Sequence, residues 1–355
     1  MPSSAVPRPT YRATARVRPL GTLCSLTAAL ALLATVPACG GGAAADVPAP
    51  RPAPAPPPPP PPGPIAAQMS VPAPVGYDAE RLAAFNRLDE IRLSAGLGML
   101  AQNTAMDEAA QAHAQWMVTN DSFSHTETEG TPGFTGTNWA RRVETFGYSP
   151  GAGSEVMVEG AGGADGVEAL VNMPYHRSAL LAFEPDDVGI GWTAGTAAGL
   201  SMPLVIDLTA PGIDAVRGLG QQAQPSINGV SVWPVDGAAD VPIHLGDEIP
   251  NPVPARDVLS LGTPVSLTMA ESWSISATSF ALRRHDSGDV VPAQLLTNQN
   301  DPNSLIPHSF IAAVPLSALA PGTRYDVAFS GTAIDRGTTV AVPVVRNWSF
   351  TTRGP

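Results

Sequence analysis

No lysine occurs anywhere in the chain, so every positive side chain is one of nineteen arginines, set against thirty-one acids. Cysteine is almost as scarce, with only Cys24 and Cys39 present. Cys24 falls inside an N-terminal leader, so no pair of thiols is left to bridge, and each folded unit must stand on its own apolar core. Long apolar runs are missing too. The one candidate, Leu23 to Val36, is too short and too closely followed by Pro and Gly to span a membrane comfortably. The leader holds four arginines and no acid, leaving fifteen arginines against thirty-one acids beyond it, a net charge of −16. That balance argues against nucleic acid as a partner and against electrostatic adhesion to anionic lipid.

What is present begins with export. Met1 to Leu20 carries Arg8, Arg12, Arg16 and Arg18, and the apolar stretch follows directly, which reads as a secretory signal. The signal ends at Val36-Pro37-Ala38-Cys39-Gly40, which resembles a bacterial lipobox, departing from it at Pro37. The resemblance implies cleavage before Cys39 and acylation of its thiol. The protein would then be an envelope lipoprotein held to a membrane, periplasmic or surface-exposed. An ordinary signal peptide cut at Ala38, with Cys39 a free thiol, is the alternative. From Cys39 to residue 75 the chain is largely Gly, Ala and Pro, with Pro56 to Pro62 at its centre. Such composition cannot bury enough apolar surface to fold, and its prolines favour an extended rod of about 3.1 Å per residue. It reads as a stand-off spacer rather than a proline-rich ligand for another domain.

Helical periodicity starts at Tyr77. Asp78 is placed to cap a helix with apolar face Leu82, Phe85, Leu88 and Ile91, ending near Gly96. Thr104, with Asp107 three residues on, has capping-box spacing and opens a helix whose stripe is Met106, Ala110, His113 and Met117. Trp139, Val143 and Phe146 predict a third helix, and Val167, Leu170 and Val171 a fourth that Pro174 breaks. Alternation over Val188 to Trp192 and Met202 to Leu208 then predicts strands, so residues 76–210 read as one α+β domain. After a linker over residues 211–224, residues 225–355 carry strand-like runs with turn signals every ten residues or so, as a β-sandwich would. Leu319-Ala320-Pro321-Gly322-Thr323-Arg324-Tyr325 resembles the corner of fibronectin-type and bacterial immunoglobulin-like modules, which implies a tyrosine hydroxyl bonded to the chain upstream.

Five short pieces in the first domain carry a second resemblance. They are Ala109 to Met117 around His113, Phe123-Ser124-His125-Thr126, Gly153-Ser154-Glu155-Val156, Met173 to Leu181 around His176, and Asp187 to Gly191. In order and spacing they resemble the CAP superfamily of cysteine-rich secretory proteins, antigen 5 and pathogenesis-related proteins, in its bacterial, disulfide-free form. The resemblance implies a three-layer α-β-α sandwich with a cleft that gathers His113, His125, Glu155 and His176. The sequence departs from the family at Ser154 and Val156 around the glutamate, at Leu170 where a tryptophan is usual, and at Tyr175 in place of a glycine. Glu168 is not matched to the family's second cleft glutamate.

Three imidazoles and a carboxylate suit two chemistries. They could hold a divalent metal such as zinc, or transfer protons, with the glutamate fixing an imidazole tautomer. The plainer alternative is that they hydrogen-bond one another and join helices to sheet. No nucleophile stands out, since neither Ser124 nor Ser154 lies in a glycine-flanked elbow. Together with the lipid binding without clear catalysis that the CAP resemblance implies, this makes the chain read as a non-catalytic binding module for a small apolar ligand, a metal or a cell-wall component. The alternatives are a metal-assisted or acid-base hydrolase of peptide or wall material, and an adhesive protein working through its β-sandwich. Trp116, Trp139 and Trp192 read as core, and Arg177 as a surface or helix-end charge. His244, His285 and His308 have no metal-ligand spacing.

Overall fold

The computed structural model describes residues 67–195, 200, 202–211 and 229–355. The leader, Cys39 and the proline run lie outside them, as does most of the expected linker.

The first region starts with helix α1 (Ala79–Ser94), whose N-cap Asp78 accepts the Arg81 N–H, and Gly96, at φ +76°, follows its end. Its buried face is Ala84, Phe85, Leu88 and Ile91, while Leu82, in the first turn, stays 40 % exposed. The short strand β1 (Ala101–Gln102) leads into α2 (Thr104–Asn120). The cap of α2 is Asn103, one residue before the expected Thr104, and its side chain accepts the Ala105 and Met106 N–H groups. Asp107 closes no capping box. It turns inward, where its carboxylate accepts the Ile190 N–H at 2.9 Å and the Tyr77 hydroxyl at 2.6 Å.

Then come α3 (Trp139–Thr145), β2 (Pro150–Val158), α4 (Gly163–Asn172), α5 (Pro174–Leu180), β3 (Asp187–Trp192) and β4 (Leu204–Pro211). Pro174 ends α4 and also opens α5 as its first residue, where the missing N–H costs nothing. The strands form one sheet in the order β1-β3-β4-β2, with β1 parallel to β3 and the other pairs antiparallel. Val188 and Ile190 of β3 join the core of α1 and α4. The alternate residues Gly189 and Gly191 meet α2, where a Cβ on Gly191 would lie 2.2 Å from the Ala110 carbonyl carbon. Only a residue without a side chain lets the helix backbone come that close.

The second region holds β5 (Ser231–Trp233), β6 (Ala238–Val241), β7 (Val265–Thr268), β8 (Trp273–Arg284), β9 (Ala293–Leu296), β10 (Phe310–Pro315), β11 (Arg324–Asp335) and β12 (Ala341–Thr352). They form two four-stranded sheets, β5-β7-β10-β9 and β6-β12-β11-β8. Leu267 and Ile311 of the first sheet share a core with Leu282, Phe329 and Phe350 of the second. Strand β10 is buried on both faces: Ile311 and Ala313 belong to that core, whereas Phe310, Ala312 and Val314 join the cluster that includes Met173, Leu180 and Phe183. The Tyr325 hydroxyl accepts the Ala320 N–H at 2.8 Å, the upstream bond expected at that corner.

Arg177 departs from expectation. It is fully buried and donates to the Val171 and Asn172 carbonyls of its own region and to the Pro264 carbonyl of the second. Its sequence position marks it as a helix-end charge. Its carbonyl partners, 87 residues away in one case, satisfy a guanidinium that burial otherwise penalises, and its pKa falls to about 9. Trp116 is buried, while Trp139 and Trp192 are half-buried against apolar clusters. Among the described residues, no helix is long and apolar enough to cross a membrane.

Candidate functional site

The site is assembled at the β2 edge of the first sheet. Helix α2 supplies His113, the loop after it His125 and Glu127, α3 Arg142, β2 Glu155, and β4 Asp207, which pairs directly across from Glu155. Strand alternation places Glu155 and Asp207 on one face of the sheet, the face against which α2 packs.

His113 is fully buried, with Nδ1 at 2.9 Å from Glu127 Oε1 and Nε2 at 2.9 Å from the Ser124 carbonyl. A carbonyl only accepts, and Glu127 is an ionised carboxylate that also accepts the Thr135 and Gly136 N–H groups at 2.6 and 3.2 Å. Both ring nitrogens therefore face acceptors, a carboxylate on one side and a carbonyl on the other. Burial pushes the Glu127 carboxyl up, but these donors outweigh it and hold it below the ordinary value. Glu155 follows the same logic: burial raises it, while the His125 hydrogen bond and the charges of Arg142 and His113 bring it lower overall. Arg142 Nη2 donates to Glu155 Oε2, and its Nη1 to the His125 carbonyl at 3.1 Å. Arg142 and the His113 ring thus stand buried against two buried carboxylates. Asp207 is the odd member. Its burial, then the Glu155 charge beside it, and less strongly a hydrogen bond with Glu155, push its pKa well above the usual carboxylate range.

His125 is different in kind. Its Nδ1 lies 2.9 Å from Glu155 Oε1, yet its side chain is 56 % exposed, so Nε2 is open to solvent. It borders a cavity of about 560 Å³ that is also lined by Ser154, Glu155, Tyr175, His176, Ile249 and Leu305. The structure therefore brings His125, Glu155 and His176 to one cavity and sets His113 behind it, where it braces the carboxylates. Tyr175 stands at the wall, its hydroxyl donating to Asp301 at 2.5 Å and accepting from Asn303 at 2.8 Å. Arg142 and His125 orient Glu155.

With both His113 nitrogens used and Glu155 engaged by His125 and Arg142, the four side chains do not form a metal-ligand set. Among the described residues, no group of three or more His, Cys, Asp or Glu is arranged to hold a metal ion. Glu168 pairs with Arg87 away from the cavity. His285 bonds Asp326, and His308 bonds the Glu271 carbonyl, and neither lines the cavity.

Sequence reasoning missed Glu127, Arg142, Asp207 and Glu248. Two had a signal. Glu127 stands two residues after His125, and Asp207 interrupts an apolar strand on the face that Glu155 shares. Arg142 sits among helix residues with nothing to distinguish it from a surface charge, and Glu248 lies 72 residues beyond its partner His176.

Residues 85–199 match the family model of CAP, the cysteine-rich secretory protein family. No curated protein matches the chain. Among solved structures, an outer surface protein from Borrelia burgdorferi is similar at 21 % identity, covering 36 % of this chain and 89 % of that one, with a TM-score of 0.31. An extracellular protein containing an SCP domain from Bacillus anthracis is similar at 17 % identity, covering 37 % of this chain and 40 % of that one, with a TM-score of 0.32. The match spans His113, His125, Glu155 and His176 and stops short of Asp207 and Glu248, so the chain carries a CAP domain of the cysteine-rich secretory protein family.

Proposed function

We propose that the protein is an exported, acyl-tethered CAP protein whose cleft binds a small amphiphilic molecule of the cell envelope without turning it over. The observation that carries this is the cavity itself, which His125, Glu155 and His176 line together with the apolar Ile249, Pro250 and Leu305. Ile249 is 73 % and Leu305 49 % exposed, which is costly for apolar side chains unless a ligand covers them. A hydroxyl-bearing head would meet the imidazoles and an apolar tail the rim, the usual division of labour in a small-molecule site. Export and tethering rest on the leader and on Cys39. The packing of α1 and α4 opposite α2 supports reading the CAP region as three α-β-α layers. The shared core of the two later sheets, with the Tyr325 corner, supports an immunoglobulin-like sandwich.

Calorimetric titration of the mature chain with octyl glucoside below its micellar concentration tests the proposal. Saturable binding is expected, weakened at least tenfold in Ile249→Asp and Leu305→Asp. A flat titration of the wild type sinks it. A hydrolase is the second reading, favoured by two imidazoles on one cavity. Against it, the Ser178 hydroxyl, which borders the cavity, donates to the Tyr175 carbonyl and to no imidazole. Turnover of peptide or wall material that vanishes in both His125→Ala and Glu155→Gln would replace the first reading with this one.

A further inference from the structure

The cleft continues beyond the CAP match. Glu248 lies between β6 and β7, in the second region, and its side chain is completely buried. One carboxylate oxygen is 2.6 Å from His176 Nδ1 and the other accepts the Tyr175 N–H at 2.9 Å, so both are committed to α5. The segment that carries it is fixed independently. Asn172 donates to the His244 carbonyl and, at 2.7 Å, to the Leu245 carbonyl, and Leu245 and Val253 are core residues packed with Met173 and Tyr175. Asn303 ties Tyr175 to the Asn251 carbonyl on the far side. Glu248 thus cannot follow His176 if the ring turns; the ring must conform to the carboxylate.

A carboxylate that also accepts a backbone N–H is an acceptor, so the His176 Nδ1 donates to it and the lone pair of a neutral ring sits on Nε2. His125 is held in the same way by Glu155, through Nδ1 at 2.9 Å, and the two rings line the same cavity. We infer that Glu248 is a positioning residue for His176, which completes from outside the CAP domain a second carboxylate–imidazole pair and gives the cleft two hydrogen-bond-accepting Nε2 atoms. The ligand head it fits is uncharged and bears hydroxyl or amine donors. This deepens the binding reading above and rests on the cleft being the working site.

The test is the tautomer of His176 in the full mature chain, read from nitrogen-15 chemical shifts and long-range couplings of its ring, alongside the octyl glucoside titration. Wild type is expected to show the Nδ1–H form. Glu248→Ala should move His176 to the Nε2–H form favoured by free histidine and weaken octyl glucoside at least tenfold. Glu248→Gln, of nearly the same shape, cannot accept from both His176 and Tyr175, and should shift the tautomer mixture in the same direction with the fold kept. An Nε2–H ring in wild type, or an unchanged Nδ1–H ring in a folded Glu248→Gln protein, overturns the inference. The expected tautomer shifts with no octyl glucoside bound by wild type support the positioning role while sinking only the binding proposal.

Discussion

Replacing Glu127 by alanine should unfold the protein more readily than any loss of a single surface charge. The side chain is wholly shielded from solvent and accepts from His113 Nδ1, from the Thr135 and Gly136 N–H groups and from the Thr135 hydroxyl. Its removal leaves the Thr135 and Gly136 N–H groups and His113 Nδ1 without their acceptor, and Arg142 facing only Glu155. Breaking a buried pair from one side costs about 3–5 kcal/mol, and each orphaned buried donor alone about 1–3 kcal/mol, so about 3–5 kcal/mol is expected after local relaxation. At roughly 2–4 °C per kcal/mol for a region of this size, the melting temperature by circular dichroism should fall by roughly 6–20 °C. His113→Leu combined with Glu127→Leu should cost less than its two single changes together, with a coupling of about 0.5–3 kcal/mol. The pH dependence has a defined sign. Glu127 and Glu155 are held below their ordinary values, so the stability they contribute is complete above the unfolded value of about 4.3 and is lost as pH falls through their folded values. The acid limb should therefore be shallower in Glu127→Gln. A Glu127→Ala protein that melts within about 1 °C of wild type, or a strictly additive double mutant, refutes the buried ion balance.

Asp207→Asn should be tolerated, because burial and the Glu155 charge already disfavour the ionised aspartate. Its folded pKa is raised, so its contribution is greatest below the unfolded value of about 3.9 and declines as pH rises towards the folded one; the variant's stability relative to wild type should climb over that window and then level off. Urea midpoints at several pH values check this, and a relative stability that falls with rising pH contradicts it. Gly191→Ala puts a methyl 2.2 Å from the Ala110 carbonyl carbon and 2.3 Å from its oxygen, both α2 backbone, so the helix must lift from the sheet. A cost of about 3 kcal/mol or more is expected; a thermal midpoint equal to wild type would show that the close packing of α2 on β3 is wrong.

Much of the frame was legible because it depends on neighbours in sequence. The caps at Asp78 and Asn103, the apolar stripes of α1 and α2, the glycine alternation of β3 and the Tyr325 corner are local patterns, and they fall within a residue or so of where the periodicity places them. His113, His125, Glu155 and His176 were legible as a set through short motifs within about a hundred residues. Their separate duties were not. Only folding shows that His113 is an interior brace with both nitrogens engaged, while His125 keeps one nitrogen in the open, since that difference comes from what packs around each ring.

Arg177 and Glu248 mark the limit most sharply. A charged residue looks solvated in sequence, and its burial becomes affordable only when partners 72 to 87 residues away supply an imidazole, an N–H or a carbonyl in the same place. The sequence by itself determined the elements, the turn chemistry and the family motifs, which rest on hydrogen bonds and apolar spacing over a few residues. The tertiary structure alone decided which carboxylate holds which histidine, that the Asp207 pKa is raised beside Glu155, and that the second region supplies one wall of the cleft, because those depend on desolvation and on contacts between segments far apart in the chain.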